Sequence, residues 1–179
     1  MNRVTTRKAL VPLATLLAAG AVAVGSGATF SSTTGNTISA VTSGTLSHTN
    51  SKDGQAIFNL TNMKPGDTLN GSLTLTNTGS LPATFALTEV SSTNGFVTPS
   101  DVTLDIVDTT ANKTVYSGTF GGLTDGAKND LGTWAAGDAH TFRFTVKLLQ
   151  DAPNAEQGKT ASAVYGWDSV QLAGGTTNQ

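Results

Sequence analysis

An all-β fold, an antiparallel β-sandwich of jelly-roll type, is predicted from three observations. Apolar and polar residues alternate at period two in several separate segments, the pattern of a strand with one buried face. Thr, Ser, Val, Gly and Asn are abundant, while Glu occurs only as Glu89 and Glu156. Strand and turn formers are therefore plentiful, and the usual surface of a helix is missing. Clusters of Gly, Asn, Asp and Pro fall between the alternating segments, where the chain must reverse. About seven to nine short strands at such spacing form a sandwich or jelly roll.

A cleaved signal helix is expected ahead of this domain, over residues 1–28. Arg3, Arg7 and Lys8 make a basic start, Ala9 to Val24 is an apolar stretch broken by Pro12, and Ser26, Gly27 and Ala28 are small. Those are the features a signal peptidase reads. The apolar core of about 15 residues is short for a membrane-spanning helix, which needs roughly 20. Cleavage between Ala28 and Thr29 leaves 151 of the 179 residues; a cut after Ala23 is the alternative. The mature protein is expected to be secreted, extracellular or at the cell surface.

Residues 29–43, Thr-Phe-Ser-Ser-Thr-Thr-Gly-Asn-Thr-Ile-Ser-Ala-Val-Thr-Ser, then form a polar, β-prone arm. A new N-terminus carrying a detachable strand is what a self-assembling subunit needs. A first strand paired within its own domain, or a disordered terminus, has the same sequence pattern. Pairing in cis and in trans therefore both stay open.

The domain proper is assigned to residues 44–173. Ala56, Phe58 and Leu60 predict a short strand. Leu69, Gly71, Leu73 and Leu75 predict the next, alternating with Asn70, Ser72, Thr74 and Thr76. Ala83, Phe85 and Leu87, then Val102, Leu104 and Ile106, give two more, and Val115 to Phe120 another. Phe142, Phe144, Val146 and Leu148 alternate with Thr141, Arg143, Thr145 and Lys147. Ala161, Ala163, Tyr165 and Trp167 share one face of a final strand, which assigns them to inter-sheet packing. Lys64-Pro65-Gly66-Asp67, Asn77-Thr78-Gly79, Thr93-Asn94-Gly95 and Ala136-Gly137-Asp138 are turns. A short helical turn is placed within Leu123–Asn129 or Asp151–Gln157. Residues 174–179 form a disordered tail.

Charge and cysteine content narrow the function. Loss of the signal leaves 7 basic and 12 acidic residues, a net charge of −5, with Arg143 as the remaining arginine. Such a surface has no footprint for nucleic acid or, after cleavage, for a membrane. With no cysteine, an exported chain must draw its stability from a core.

A family resemblance rests on motifs in order along the chain. Gly44-Thr45-Leu46 is followed by Leu60-Thr61-Asn62-Met63-Lys64-Pro65-Gly66-Asp67, then by Leu73-Thr74-Leu75-Thr76-Asn77-Thr78-Gly79-Ser80-Leu81-Pro82-Ala83. Gln157-Gly158-Lys159 and Tyr165-Gly166-Trp167-Asp168 close the set, and Ala28-Thr29-Phe30-Ser31 is similar to the family's signal junction. The chain resembles the compact members of the TasA/camelysin family of secreted bacterial proteins. The resemblance implies a jelly-roll domain, export with a dedicated signal peptidase, and assembly into biofilm-matrix fibres. In such fibres the arm of one subunit completes a sheet of the next, so the partner is the protein itself. Phe30, Ile38 and Val41 are the apolar residues available as plugs, with Ile38 to Val41 the segment expected to insert.

The family also includes camelysin-type metalloendopeptidases, the second functional reading. A zinc peptidase commonly uses two His one helical turn apart and a Glu base. Here His48 and His140 are 92 positions apart, with no His-Glu-x-x-His, and both are expected on the surface or on edge strands. No cofactor is expected. A Gly-x-Ser-x-Gly elbow is also missing. Asp101, Asp105, Asp108, Asp125 and Asp130 are carboxylates of the kind calcium takes, but their spacing is not that of an EF-hand; solvated turn positions are expected. Trp134, Tyr165 and Trp167 raise a third reading, a monomeric cell-surface binding module.

Overall fold

The computed structural model describes residues 30–31, 40–41, 43–58 and 63–175. The signal segment, the Ala28–Thr29 junction, Ile38 and residues 176–179 lie outside the described residues. Contacts divide the chain into two units, residues 1–43 and 44–179. In the first, β1 (Phe30–Ser31) and β2 (Ala40–Val41) pair antiparallel, with Phe30 opposite Val41 and Ser31 opposite Ala40.

The second unit is a sandwich of two antiparallel sheets. One contains β3 (His48–Asn50), β4 (Thr68–Asn77), β6 (Val102–Asp108), β7 (Lys113–Thr119) and β9 (Ala139–Leu148), in the order β3-β4-β9-β6-β7. The other contains β5 (Ala83–Asn94), β8 (Lys128–Trp134) and β10 (Ala161–Gln171), in the order β10-β5-β8. Only β3–β4 and β6–β7 follow one another within a sheet; every other step crosses between sheets. That winding puts sequence neighbours on facing sheets, as a jelly-roll arrangement requires.

The alternation predicts which side chains meet in the middle. Leu73 and Leu75 of β4, Phe85 and Leu87 of β5, Leu104 and Ile106 of β6, and Phe142, Phe144 and Val146 of β9 are all buried in one core. Each such side chain contributes roughly 1.5–3 kcal/mol by leaving water. Ala161, Ala163, Tyr165 and Trp167 pack against this core. Trp167 lies 5.2 Å from Phe142 and Tyr165 lies 5.2 Å from Phe144, ring centre to ring centre. Trp134 is buried as well, so none of the three aromatics offers an open sugar-binding face.

Bulges keep the long strands in phase with the core. In β5 the register against β10 shifts after Glu89, leaving Val90 unpaired and exposed while Ser92 returns to face inward. In β8 the shift against β5 falls at Leu131, which turns into the core, and Gly132 beside it takes φ +104°. A side chain at Gly132 would be strained by that left-handed conformation.

Several elements differ from the sequence expectation. Ala56 to Phe58 form no strand, while Asn59 and Leu60 lie outside the described residues. Ile57 and Phe58 both pack against the core while Ala56 is exposed. Adjacent residues on one face exclude a pleated strand. Within Leu123–Asn129 there is a turn and then β8 from Lys128, whereas a 3-10 turn does occupy Asn154–Glu156. β8 escaped the alternation because Lys128, Asn129 and Asp130 are polar and the bulge at Leu131 breaks the period. β3, at three residues, is too short to show a period.

The family-type motif at Asn77-Thr78-Gly79 is a structural corner. Asn77 is fully buried. Its amide donates to the carbonyls of Leu81 and Ala135, each at 3.0 Å, and its Oδ1 accepts from the Gly79 N–H at 3.1 Å. One side chain thus ties the β4–β5 turn to the β8–β9 turn. The Lys64–Asp67 turn closes by an Asp67 N–H to Lys64 C=O bond of 3.0 Å. The Asp67 carboxylate accepts from Lys64 Nζ at 2.7 Å and from the Lys64 N–H at 3.0 Å, and these two bonds hold its pKa below the ordinary value.

Candidate functional site

The most organised polar group in the sandwich is His140 with Asp108. Asp108 ends β6 facing inward, and His140 faces it from β9, the central strand of the five-stranded sheet. His140 is therefore neither a surface nor an edge-strand histidine, contrary to the sequence expectation; its partner across the sheet drew it inside. His140 Nδ1 lies 2.6 Å from Asp108 Oδ2. The other oxygen, Oδ1, accepts from the N–H groups of Thr110 and Ala111 at 2.9 and 3.0 Å. Asp108 is thus buried and fully engaged, not a solvated turn aspartate. Asp108→Ala would orphan two N–H groups and the imidazole together. A loss of about 3 kcal/mol is expected, read as a lower urea midpoint at unchanged slope.

Aromatic rings separate the two histidines. Trp134 stacks on His140 at 4.1 Å with planes 4° apart, and on Phe85 at 4.0 Å with planes 13° apart. Two nearly parallel neighbours at that distance must occupy opposite faces of the indole. His48, on edge strand β3, meets Phe85 edge-on at 5.8 Å and places Nδ1 2.9 Å from Ser169 Oγ of β10. The series runs His48, Phe85, Trp134, His140, with two rings between the imidazoles.

The carboxylates are dispersed. Glu156 is buried and its oxygens accept from the N–H groups of Val97 and Thr98 at 2.7 and 2.8 Å. Asp101 lies near it, and its pKa is raised by lost hydration and then by the charges of Glu156 and Asp151. Asp105 is bonded to the Ser117 hydroxyl at 2.5 Å, and Asp130 accepts from Gly132 N–H at 3.0 Å. Glu89 is fully buried on β5, opposite Tyr165 of β10. Burial raises the pKa of Glu89, and it also raises that of Tyr165. The alternation around Ala83–Leu87 could have signalled Glu89, since it falls on the same parity as Phe85 and Leu87.

Every His, Asp and Glu of the chain is among the described residues. Among the described residues, no group of three or more of these side chains is placed to hold a metal ion. A shallow groove on the outer face of the five-stranded sheet is lined by Asn70, Ser72, Thr141 and Arg143, without an acid–base pair. Of the residues assigned to the arm, Phe30 and Val41 stand opposite each other in the β1–β2 pair. Ile38 and the residues assigned to cleavage, Ala28 and Thr29, lie outside the described residues. No helix among the described residues is long and apolar enough to cross a membrane.

The model of the Camelysin metallo-endopeptidase family matches residues 7–94. The match runs from within the segment assigned to a signal to the end of β5 and contains the Lys64–Asp67 and Asn77–Gly79 turns. No curated protein matches the chain. The metal that this family description implies needs convergent His, Asp or Glu donors. The donor set here does not fit it: the imidazoles are held apart by Phe85 and Trp134, and Asp108 is committed to His140.

Proposed function

This chain belongs to the TasA/camelysin family, and we propose that it is an exported structural subunit of extracellular fibres. The subunits join head-to-tail, the arm of residues 29–43 adding a strand to the sandwich of the next copy. Camelysins are in general extracellular or cell-surface proteins, which agrees with removal of residues 1–28 by a signal peptidase.

The observation that carries this reading is a sheet edge that the described strands cover only in part. β4 is ten residues long, but β3 pairs only with Leu75, Thr76 and Asn77. No other described strand pairs with Thr68–Leu73 on that side. Beside this stretch, Ile57 and Phe58 pack against the core as irregular chain. An unpaired row of N–H and C=O groups accepts an added strand, with backbone bonds giving affinity and alternate side chains giving specificity. Because such a contact joins two different surfaces, it propagates instead of closing, and the product is a filament.

Phe30, Ile38 and Val41 are the arm's apolar contributions, with Ile38 to Val41 the inserting part. Ile38→Asp places a carboxylate where an apolar plug is required, and burying it unpaired is costly. The variant is expected to remain monomeric under conditions in which the wild type forms filaments in negative-stain micrographs. Normal filaments from Ile38→Asp would remove this residue from the donated strand.

A further inference from the structure

Glu89 is the one fully buried acid for which the structure supplies no bond. Both carboxyl oxygens are without a hydrogen-bond partner among the described residues, and so is the buried hydroxyl of Tyr165 across the strand pair. The two other buried acids are bonded: Asp108 holds two N–H groups and an imidazole, and Glu156 holds two N–H groups. The groups that face Glu89 are the Ser92 hydroxyl on its own strand, Tyr165 on β10, Tyr116 on β7 and Asp125 in the β7–β8 connection. None is a cation, and Asp125 is itself an acid. An ionised carboxylate there would meet low dielectric and a like charge, with no cation and only the Ser92 and Tyr165 hydroxyls close enough to donate; lost hydration outweighs them, so the neutral acid is the form that fits.

Its position gives this chemistry a mechanical consequence. Glu89 precedes the β5 bulge, where the register against β10 shifts between Val164 and Tyr165. Among the described strands, β10 lies at the edge of its sheet and pairs only with β5. We propose that Glu89 is a pH-operated latch on β10: neutral, it lets the strand dock over it, and ionised, it drives water into the bulge and loosens the β5–β10 pairing. The inference does not depend on fibre assembly.

The direction with pH follows from proton linkage. Burial sets the folded pKa of Glu89 above the ordinary value of 4.5. The folded state therefore binds the proton more tightly than the unfolded chain. Its contribution is fully present below about pH 4.5 and is lost as pH rises through the folded pKa.

The test compares wild type and Glu89→Gln, a neutral side chain of the same shape, by thermal melting from pH 4.5 upward and by amide exchange of β10. Wild type should lose roughly 3–6 °C of Tm relative to Glu89→Gln across that window. Exchange at Ala163 to Trp167, corrected for its intrinsic pH dependence, should rise in wild type alone. Superimposable pH profiles for the two proteins would overturn the proposal. Should Glu89→Gln fail to fold, the infrared carbonyl band of neutral carboxylic acid in wild type decides. A band titrating above the exposed carboxylates supports the latch, and titration together with them removes it.

Discussion

Deletion of residues 29–42 will yield a folded protein that forms no filaments. The expectation combines two features. In the proposed assembly the arm is the connection between copies, so its removal should abolish assembly and not merely slow it. The core, by contrast, is built from β4, β5, β6, β8 and β9 together with Phe120, and all of its members lie after Ser43. Circular dichroism and thermal melting of the truncated chain should therefore match the full mature chain, while electron micrographs lose their filaments. Adding the truncated protein to assembling mature protein should cap growing ends, because the truncated copy still presents the β4 edge but donates nothing. Filaments that persist after truncation would refute the assembly mechanism, whatever their appearance.

Trp134→Ala will be the most damaging single substitution in the sandwich. The indole is buried, carries Phe85 and His140 on its two faces, and lies 6.1 Å from Phe142. Truncation leaves a cavity between the sheets and removes the surface against which His140 is held toward Asp108. A loss of about 3–5 kcal/mol is expected, equivalent to a fall in Tm of roughly 10–20 °C for a domain of this size. Trp134→Phe should cost much less, about 1–2 kcal/mol. It keeps a stacking ring and removes an indole N–H that has no acceptor in its buried position. Equal losses for the two variants would mean that the ring stack contributes nothing beyond volume.

The period-two segments could be read directly because each strand has one face in the core and one in water. Leu73 and Leu75, or Phe142 and Phe144, had no other place to go once water was the alternative. The same reasoning failed at β8, where the bulge at Leu131 and Gly132 interrupts the period, and at Ala56–Phe58, where Ile57 and Phe58 pack on the core without pleating and Ala56 is exposed. Local pattern reports burial; it does not report hydrogen-bond partners. The aromatic parity of Tyr165 and Trp167 was legible for that reason, and the sheet that each would face was not.

The candidate polar groups divide in the same way. Two histidines and scattered acids are visible in the chain, and the missing His-Glu-x-x-His is visible too. That His140 meets Asp108 across β9 and β6, while Phe85 and Trp134 stand between it and His48, depends on strand order and register. Asp108 and His140 are 32 positions apart, and Phe85 meets Trp134 from another strand. The sequence by itself determined the fold class, the faces of most strands and the family, because these rest on local alternation and ordered motifs. Only the tertiary structure decided that Glu89 is sealed away from any cation, that Asp108 is engaged, and that the described strands cover the β4 edge only in part. Each of these is set by what lies on the neighbouring strand, and no period along a single strand encodes its neighbour.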